Sequence, residues 1–164
     1  MLTASLALAV GIAIYDLTIR ELELSSTATQ SQYAVYAADA GAECALYWDF
    51  KCTNAGYCTS SGGSAFPTST DSGQAPADPD LLCNSQAIND LWDTSQKSAS
   101  SATTTFTLNV SGATQGSATT TCAVVSVGKY TAANGALYTS VISRGYNTCT
   151  VGVVRVERAL QVSY

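Results

Sequence analysis

No proline occurs before Pro67, so nothing forces a break in the first fifty residues. Two patterns follow one another along that stretch. Met1 to Tyr15 carries no charge, and then Asp16, Arg20, Glu21 and Glu23 arrive together. After Leu24 the apolar residues become sparse and periodic, through Tyr33, Tyr36 or Ala37, Ala40, Cys44 and Tyr47 or Trp48. That spacing is the i, i+3, i+4, i+7 signature of a helix with one buried stripe. The sequence therefore predicts a single helix over 1–52, apolar through 1–24 and amphipathic through 25–52. At ~1.5 Å per residue it would reach roughly 75 Å, well past a compact body of this size. An apolar helix end with no polar face needs lipid or other molecules around it. The uncharged run would cover roughly 22 Å as helix, short of a bilayer core of ~30 Å, which makes it a weak anchor. Ser5, Ala9 and Ala13 stand four apart, as do Ala7 and Gly11, a spacing that lets helices approach closely. Asp16 and Arg20 form a favourable i, i+4 pair. The Ser/Thr-rich stretch 24–29 has weak helix propensity, so a bend is expected there or at Gly11.

Residues 53–102 change character. They are rich in Gly, Ser, Thr and Asp and hold all three prolines, which reads as a surface loop. Within it Leu81, Leu82, Ile88, Leu91 and Trp92 suggest a short helix capped by Asn84 or Ser85. From Thr103 the period becomes two, and 103–164 reads as an antiparallel sheet. Thr104, Phe106, Leu108 and Val110 alternate with Thr and Asn; Cys122 to Gly128 and Leu137 to Ser143 are further strands. Asn134-Gly135 signals a turn between them. Thr150 to Tyr164 reads as the longest strand, with Val154, Val156, Leu160, Val162 and Tyr164 on one face. Arg158 falls on that apolar face and should snorkel to an edge or meet a carboxylate. The expected fold class is α+β: a long N-terminal helix covering an antiparallel meander of about four strands, stapled by disulfides.

Six cysteines, at 44, 52, 58, 83, 122 and 149, occur without any histidine. No CxxC spacing is present, so disulfides in an oxidising compartment are favoured over zinc. A local Cys52–Cys58 loop, a Cys122–Cys149 bridge in the sheet and a Cys44–Cys83 tie to the helix are the expected pairs. Net charge is −5, and the seven basic residues are scattered, which argues against direct nucleic-acid binding. No histidine is available as a general base, and no glycine-rich phosphate loop precedes a helix, so no catalytic residue and no cofactor are expected. Asp71, Asp78, Asp80, Asp90 and Asp93 match no calcium loop and read as a solvated acidic region. Asn109-Val110-Ser111 is a possible glycosylation sequon. Tyr15, Tyr33, Tyr36, Tyr47 and Trp48 read as core packing and subunit contact rather than an electron path.

A helix that is apolar first and amphipathic later, then a variable loop, then an antiparallel sheet, resembles a type IV pilin over the whole chain. Tyr33-Ala34-Val35-Tyr36-Ala37-Ala38-Asp39-Ala40-Gly41-Ala42-Glu43 resembles the helix of pilin-like proteins of the PilX group. Val141-Ile142-Ser143-Arg144-Gly145-Tyr146 and Arg155-Val156-Glu157-Arg158-Ala159-Leu160 resemble its closing strands. The resemblance implies a leader removed by a dedicated peptidase, with Met1 as the processed and methylated residue. It implies a homo-oligomeric helical filament whose core is packed by Leu2, Ser5, Leu6, Ala7, Leu8, Ala9, Val10, Gly11, Ile12, Ala13 and Ile14. Before assembly the helix would sit transiently in the membrane beside inner-membrane assembly machinery. Afterwards the subunit would lie in an extracellular filament that supports adhesion, twitching motility and surface contact. The family carries a glutamate a few residues into the helix, where this chain has Ser5, and a helix-breaking proline that is missing here. A minor pilin, a secretion-system pseudopilin or a membrane-tethered binding module that never polymerises therefore stand as alternatives.

Overall fold

The computed structural model describes residues 2–52, 63–71, 81–88, 93–110, 120–150 and 155–164. Leu2–Lys51 form one continuous helix, α1, of 50 residues. It runs unbroken through Gly11 and through the Ser/Thr stretch. There the hydroxyls fold back onto the helix: Thr27 Oγ1 donates to the Glu23 carbonyl at 2.9 Å and Thr29 Oγ1 to the Ser25 carbonyl at 3.0 Å. These bonds satisfy the side chains within the helix instead of competing with it. Asp16 and Arg20 pair at 3.4 Å on the open surface, where such a pair contributes little.

Two short strands, β1 (Leu82–Cys83) and β2 (Gln86–Ala87), form a hairpin, and five more build one sheet. These are β3 (Asp93–Lys97), β4 (Ser101–Val110), β5 (Thr121–Thr131), β6 (Leu137–Tyr146) and β7 (Glu157–Ser163). They lie in sequence order, each antiparallel to the next, as a meander. The architecture is thus α+β, one N-terminal helix on antiparallel sheets with disulfide ties. The sheet has five strands rather than about four, because β3 adds an edge from within the stretch 53–102. Alternation sets the faces: Thr104, Phe106 and Leu108 of β4, Val125 and Val127 of β5, and Val141 of β6 are all buried toward the core. Phe66, in the chain following α1, stacks on Phe106 at 6.1 Å and closes that core.

Three expectations are corrected. The short helix over 81–92 is instead the β1–β2 hairpin. Asn84 and Ser85 take φ of 50° and 62°, the left-handed pair that a tight two-residue turn needs and a helix cap does not. Leu91 and Trp92 lie outside the described residues. The buried stripe of α1 follows only part of the expected series: Ala37 rather than Tyr36 is buried, Tyr33, Ala40, Cys44 and Trp48 are half-buried, and the most deeply buried positions are alanines. Ala34, Ala37, Ala38, Ala42 and Ala45 are buried, whereas Tyr36 and Tyr47 are more than half exposed. The reason is close approach: a Cβ added to Gly145 of β6 would overlap the Ala34 carbonyl and the Ala38 amide of α1. Only small side chains fit between backbones that near. The last strand is seven residues long, shorter than β4, β5 and β6, and mostly exposed on both faces because it is a sheet edge. Val162 is 37% and Tyr164 42% exposed, and Val154 lies outside the described residues. Arg158 reaches the sheet edge, the first of the two outcomes expected for it: it is exposed on β7, and its Nε donates to Ser31 Oγ at 2.9 Å.

Two of the expected disulfides are present. Cys44–Cys83 ties α1 to the hairpin, and Cys122–Cys149 joins β5 to the chain after β6. Cys52 is also disulfide-bonded, but Cys58 lies outside the described residues. The Asn134-Gly135 turn forms, with Gly135 at φ 82° and Asn134 Oδ1 accepting from the Ala136 amide at 3.0 Å.

Candidate functional site

The helix contributes two functional features, one at each end. At its N-terminal end the chain is bare. Every described side chain from Leu8 to Thr29 is exposed, and the first contact with the sheet comes at Gln30 and Ser31. Asn147 Nδ2 donates to Gln30 Oε1 at 2.7 Å there, beside the Arg158–Ser31 bond. Leu8, Val10, Ile12, Ile14, Leu17, Leu22 and Leu24 are each at least half exposed, and Tyr15 is 68% exposed. At 100° per residue these positions point to every side of the helix, so no single face can dock onto one neighbour. A soluble body seldom leaves such a contiguous apolar surface uncovered.

Leu8, Ala9, Val10, Gly11, Ile12, Ala13 and Ile14 therefore stand together on one free cylinder. A Cβ placed on Gly11 would meet nothing within 4 Å. Leu2, Ser5, Leu6 and Ala7 continue the same helix, but their side chains and Met1 lie outside the described residues. Among the described residues no helix is long and apolar enough to cross a membrane.

At the other end of α1 a buried polar cluster joins five segments. Lys129 Nζ of β5 lies 2.6 Å from Asp49 Oδ1 of α1, with both side chains about 95% withdrawn from water (3% and 5% exposed). Ser64 Oγ, from the chain after the helix, donates to the same carboxylate oxygen. Tyr164, just past β7, donates its hydroxyl to Asp49 Oδ2 at 2.5 Å and stacks on Phe50 at 4.9 Å. Lys129 also reaches Thr139 Oγ1 of β6 at 3.4 Å. A buried ion pair whose two partners both make further hydrogen bonds fixes one arrangement of the elements that supply it. Sequence reading missed this cluster. A signal was present, since Asp49 is four residues past the buried Ala45, and Lys129 follows Val125 and Val127 on the inward alternation of β5. Charged residues in phase with two buried faces should find each other.

Burial raises the Tyr164 phenol above its ordinary range, and the Asp49 hydrogen bond and negative charge push it the same way. The sign follows directly. A raised acid is stabilising in its neutral form, so the contribution is complete below the unfolded value of about 10 and declines as pH rises past it. Stability should therefore start to fall above pH ~10. Tyr164→Phe should cost about 1 kcal/mol at neutral pH and flatten that alkaline decline, as measured by urea midpoints across the pH range.

The remaining candidates are dispersed. Asn109 is exposed on β4, with its amide donating to Gln86 Oε1 at 2.9 Å, while Ser111 lies outside the described residues. Asp71 is spent on its own turn, accepting from the Thr68 amide and hydroxyl at 2.7 Å each. Asp78, Asp80 and Asp90 lie outside the described residues. Among the described residues no group of three or more His, Cys, Asp or Glu side chains could hold a metal ion. Trp48 Nε1 donates to the Leu82 carbonyl at 3.3 Å, and its ring meets Tyr47 edge-on at 5.2 Å, a packing contact beside the Cys44–Cys83 bridge. Comparison with protein-family models, with curated proteins and with solved structures finds no match for the chain.

Proposed function

We propose that this chain is a non-catalytic structural subunit of an extracellular filament of the type IV pilus kind, built by packing the N-terminal helices of many copies. The observation that supports the reading is the bare apolar cylinder from Leu8 to Leu24, set on a body whose own core is complete without it. Each large apolar side chain withdrawn from water contributes about 1.5–3 kcal/mol. Identical helices surrounding one another would cover all sides at once, which a single docking partner could not do. Small residues at Ala9, Gly11 and Ala13 would let those helices come close. The body would face outward and make contact with surfaces and other cells, and the same helix would hold the subunit at the membrane before assembly.

Deleting Leu2 to Ile14 tests this. The shortened chain is expected to form no filaments by electron microscopy, while its sheet and disulfides remain. Normal filaments from it would overturn the packing role. A chain found only in membrane fractions, with no filaments even at full length, would instead establish a tethered module or a minor subunit. The uncharged Ser5, at a position where pilins carry an acid, is the feature that favours this second reading.

A further inference from the structure

On the face of the sheet turned away from α1, a groove of about 520 Å3 crosses β4, β5 and β6 at the end near the Asn134-Gly135 turn and reaches Ser163 at the end of β7 and Tyr164 beyond it. Its flank is a cross-strand pair, Tyr130 opposite Tyr138, with side chains 51% and 52% exposed. Its floor is Gly128, which pairs with Thr103 on one side and Ser140 on the other. A Cβ on Gly128 would find only ordinary contacts, with the Ser140 carbonyl at 3.8 Å and Thr103 Oγ1 at 3.9 Å. The volume falls within the range of small-molecule sites.

We propose that this groove binds a neutral hexopyranose sugar, with one sugar face laid on the Tyr130 and Tyr138 rings and its hydroxyls met by Ser101, Thr103 and Ser140. The lining chooses among ligand classes. Among the described residues that line it, Lys129 is the one cation, and that ammonium is buried and paired with Asp49, so this lining offers nothing to a phosphate or carboxylate. An added peptide strand pairs along a free sheet edge, which the groove touches only at Ser163 of β7 and Tyr164; its floor, Gly128, lies on β5, which is paired on both sides. A lipid chain would need continuous aliphatic walls, whereas hydroxyl side chains recur here at every second position. Aromatic rings beside side-chain hydroxyls match a ring that is apolar on its C–H face and polar at its rim. The site does not depend on the helix and goes beyond the assembly role: a surface-exposed body would carry its own sugar-recognising patch.

The test is titration of the full-length protein in detergent with lactose, followed by amide NMR. Saturable shifts at Thr103, Gly128, Tyr130 and Ser140, with affinity in the millimolar range, are expected. A Tyr130→Ala/Tyr138→Ala variant should weaken binding at least tenfold. Gly128→Leu should fill the floor and abolish binding while leaving both tyrosines, and unchanged circular dichroism would show that the sheet persists. Absence of shifts at these amides, or shifts that survive both variants, would overturn the proposal. Loss of filaments on helix deletion bears on assembly alone, so either reading can fail without the other.

Discussion

A Gly145→Ala substitution is expected to push α1 off the sheet. The added methyl would overlap the Ala34 carbonyl and the Ala38 amide, both backbone atoms of a continuous helix. No side-chain rotation can relieve such an overlap, so either α1 or β6 must shift. Overpacking costs about 1–3 kcal/mol where side chains can adjust, and a backbone obstacle puts this case at the upper end, about 3 kcal/mol. The helix is further pinned by Cys44–Cys83, which blocks an easy sideways slide. For a chain of this size that corresponds to a fall in melting temperature of roughly 10 °C. Gly128→Ala on the opposite face is the control. Its methyl has room, and the change should stay within about 0.5 kcal/mol. Equal melting temperatures for the two variants would show that the close approach is not real.

That contact also explains what could and could not be read from the residues. The alternation of Thr104, Phe106 and Leu108 fixes the inward face of β4, and the Val125–Val127 alternation does the same for β5. Period-two patterning is direct evidence, because one face of a sheet is buried and the other is not. The helix is harder. Its large residues Tyr33, Tyr36 and Tyr47 obey helical spacing, and so do Ala34, Ala38 and Ala45, one or two positions round. Choosing between the two stripes requires the distance between helix and sheet, and that distance is set by Gly145 and Gly41, more than a hundred residues apart in sequence. A Cβ on Gly41 would come within 2.8 Å of Val125 and 2.9 Å of Ala123.

The short helix expected around Asn84-Ser85 gives way to a hairpin for another reason. Both residues serve equally as helix caps and as left-handed turn residues, and the apolar positions around them fit either. The pairing of Cys83 with α1 and of Leu82 with Ala87 decides the matter, and both are tertiary or cross-strand facts. The projecting helix was legible from length and charge pattern, because a proline-free helix of about fifty residues, uncharged through Tyr15, outreaches a compact body of this size.

The buried cluster at the other end of α1 should give the larger of the two effects. Asp49→Ala leaves the Lys129 ammonium about 97% enclosed, at 3% exposure, with only a 3.4 Å contact to Thr139 Oγ1 in place of its counter-charge. It also removes the acceptor of the Tyr164 hydroxyl and one of the partners of Ser64. Breaking a buried pair from one side costs about 3–5 kcal/mol, mainly because an uncompensated charge remains. Melting should drop by roughly 10–15 °C. Removing both charges is a different matter. In Asp49→Leu/Lys129→Met no ion is stranded, Ser64 Oγ still accepts from the Phe66 amide at 3.0 Å, and the Tyr164 ring keeps its stack on Phe50. The double variant should recover most of the loss and can exceed the parent, since a well-packed apolar pair avoids the desolvation cost altogether. A complete cycle of the parent, two single variants and the double variant measures the coupling directly. Additive losses, with the double variant as unstable as the sum of the singles, would show that Asp49 and Lys129 are independently solvated and that the helix end is held by other contacts.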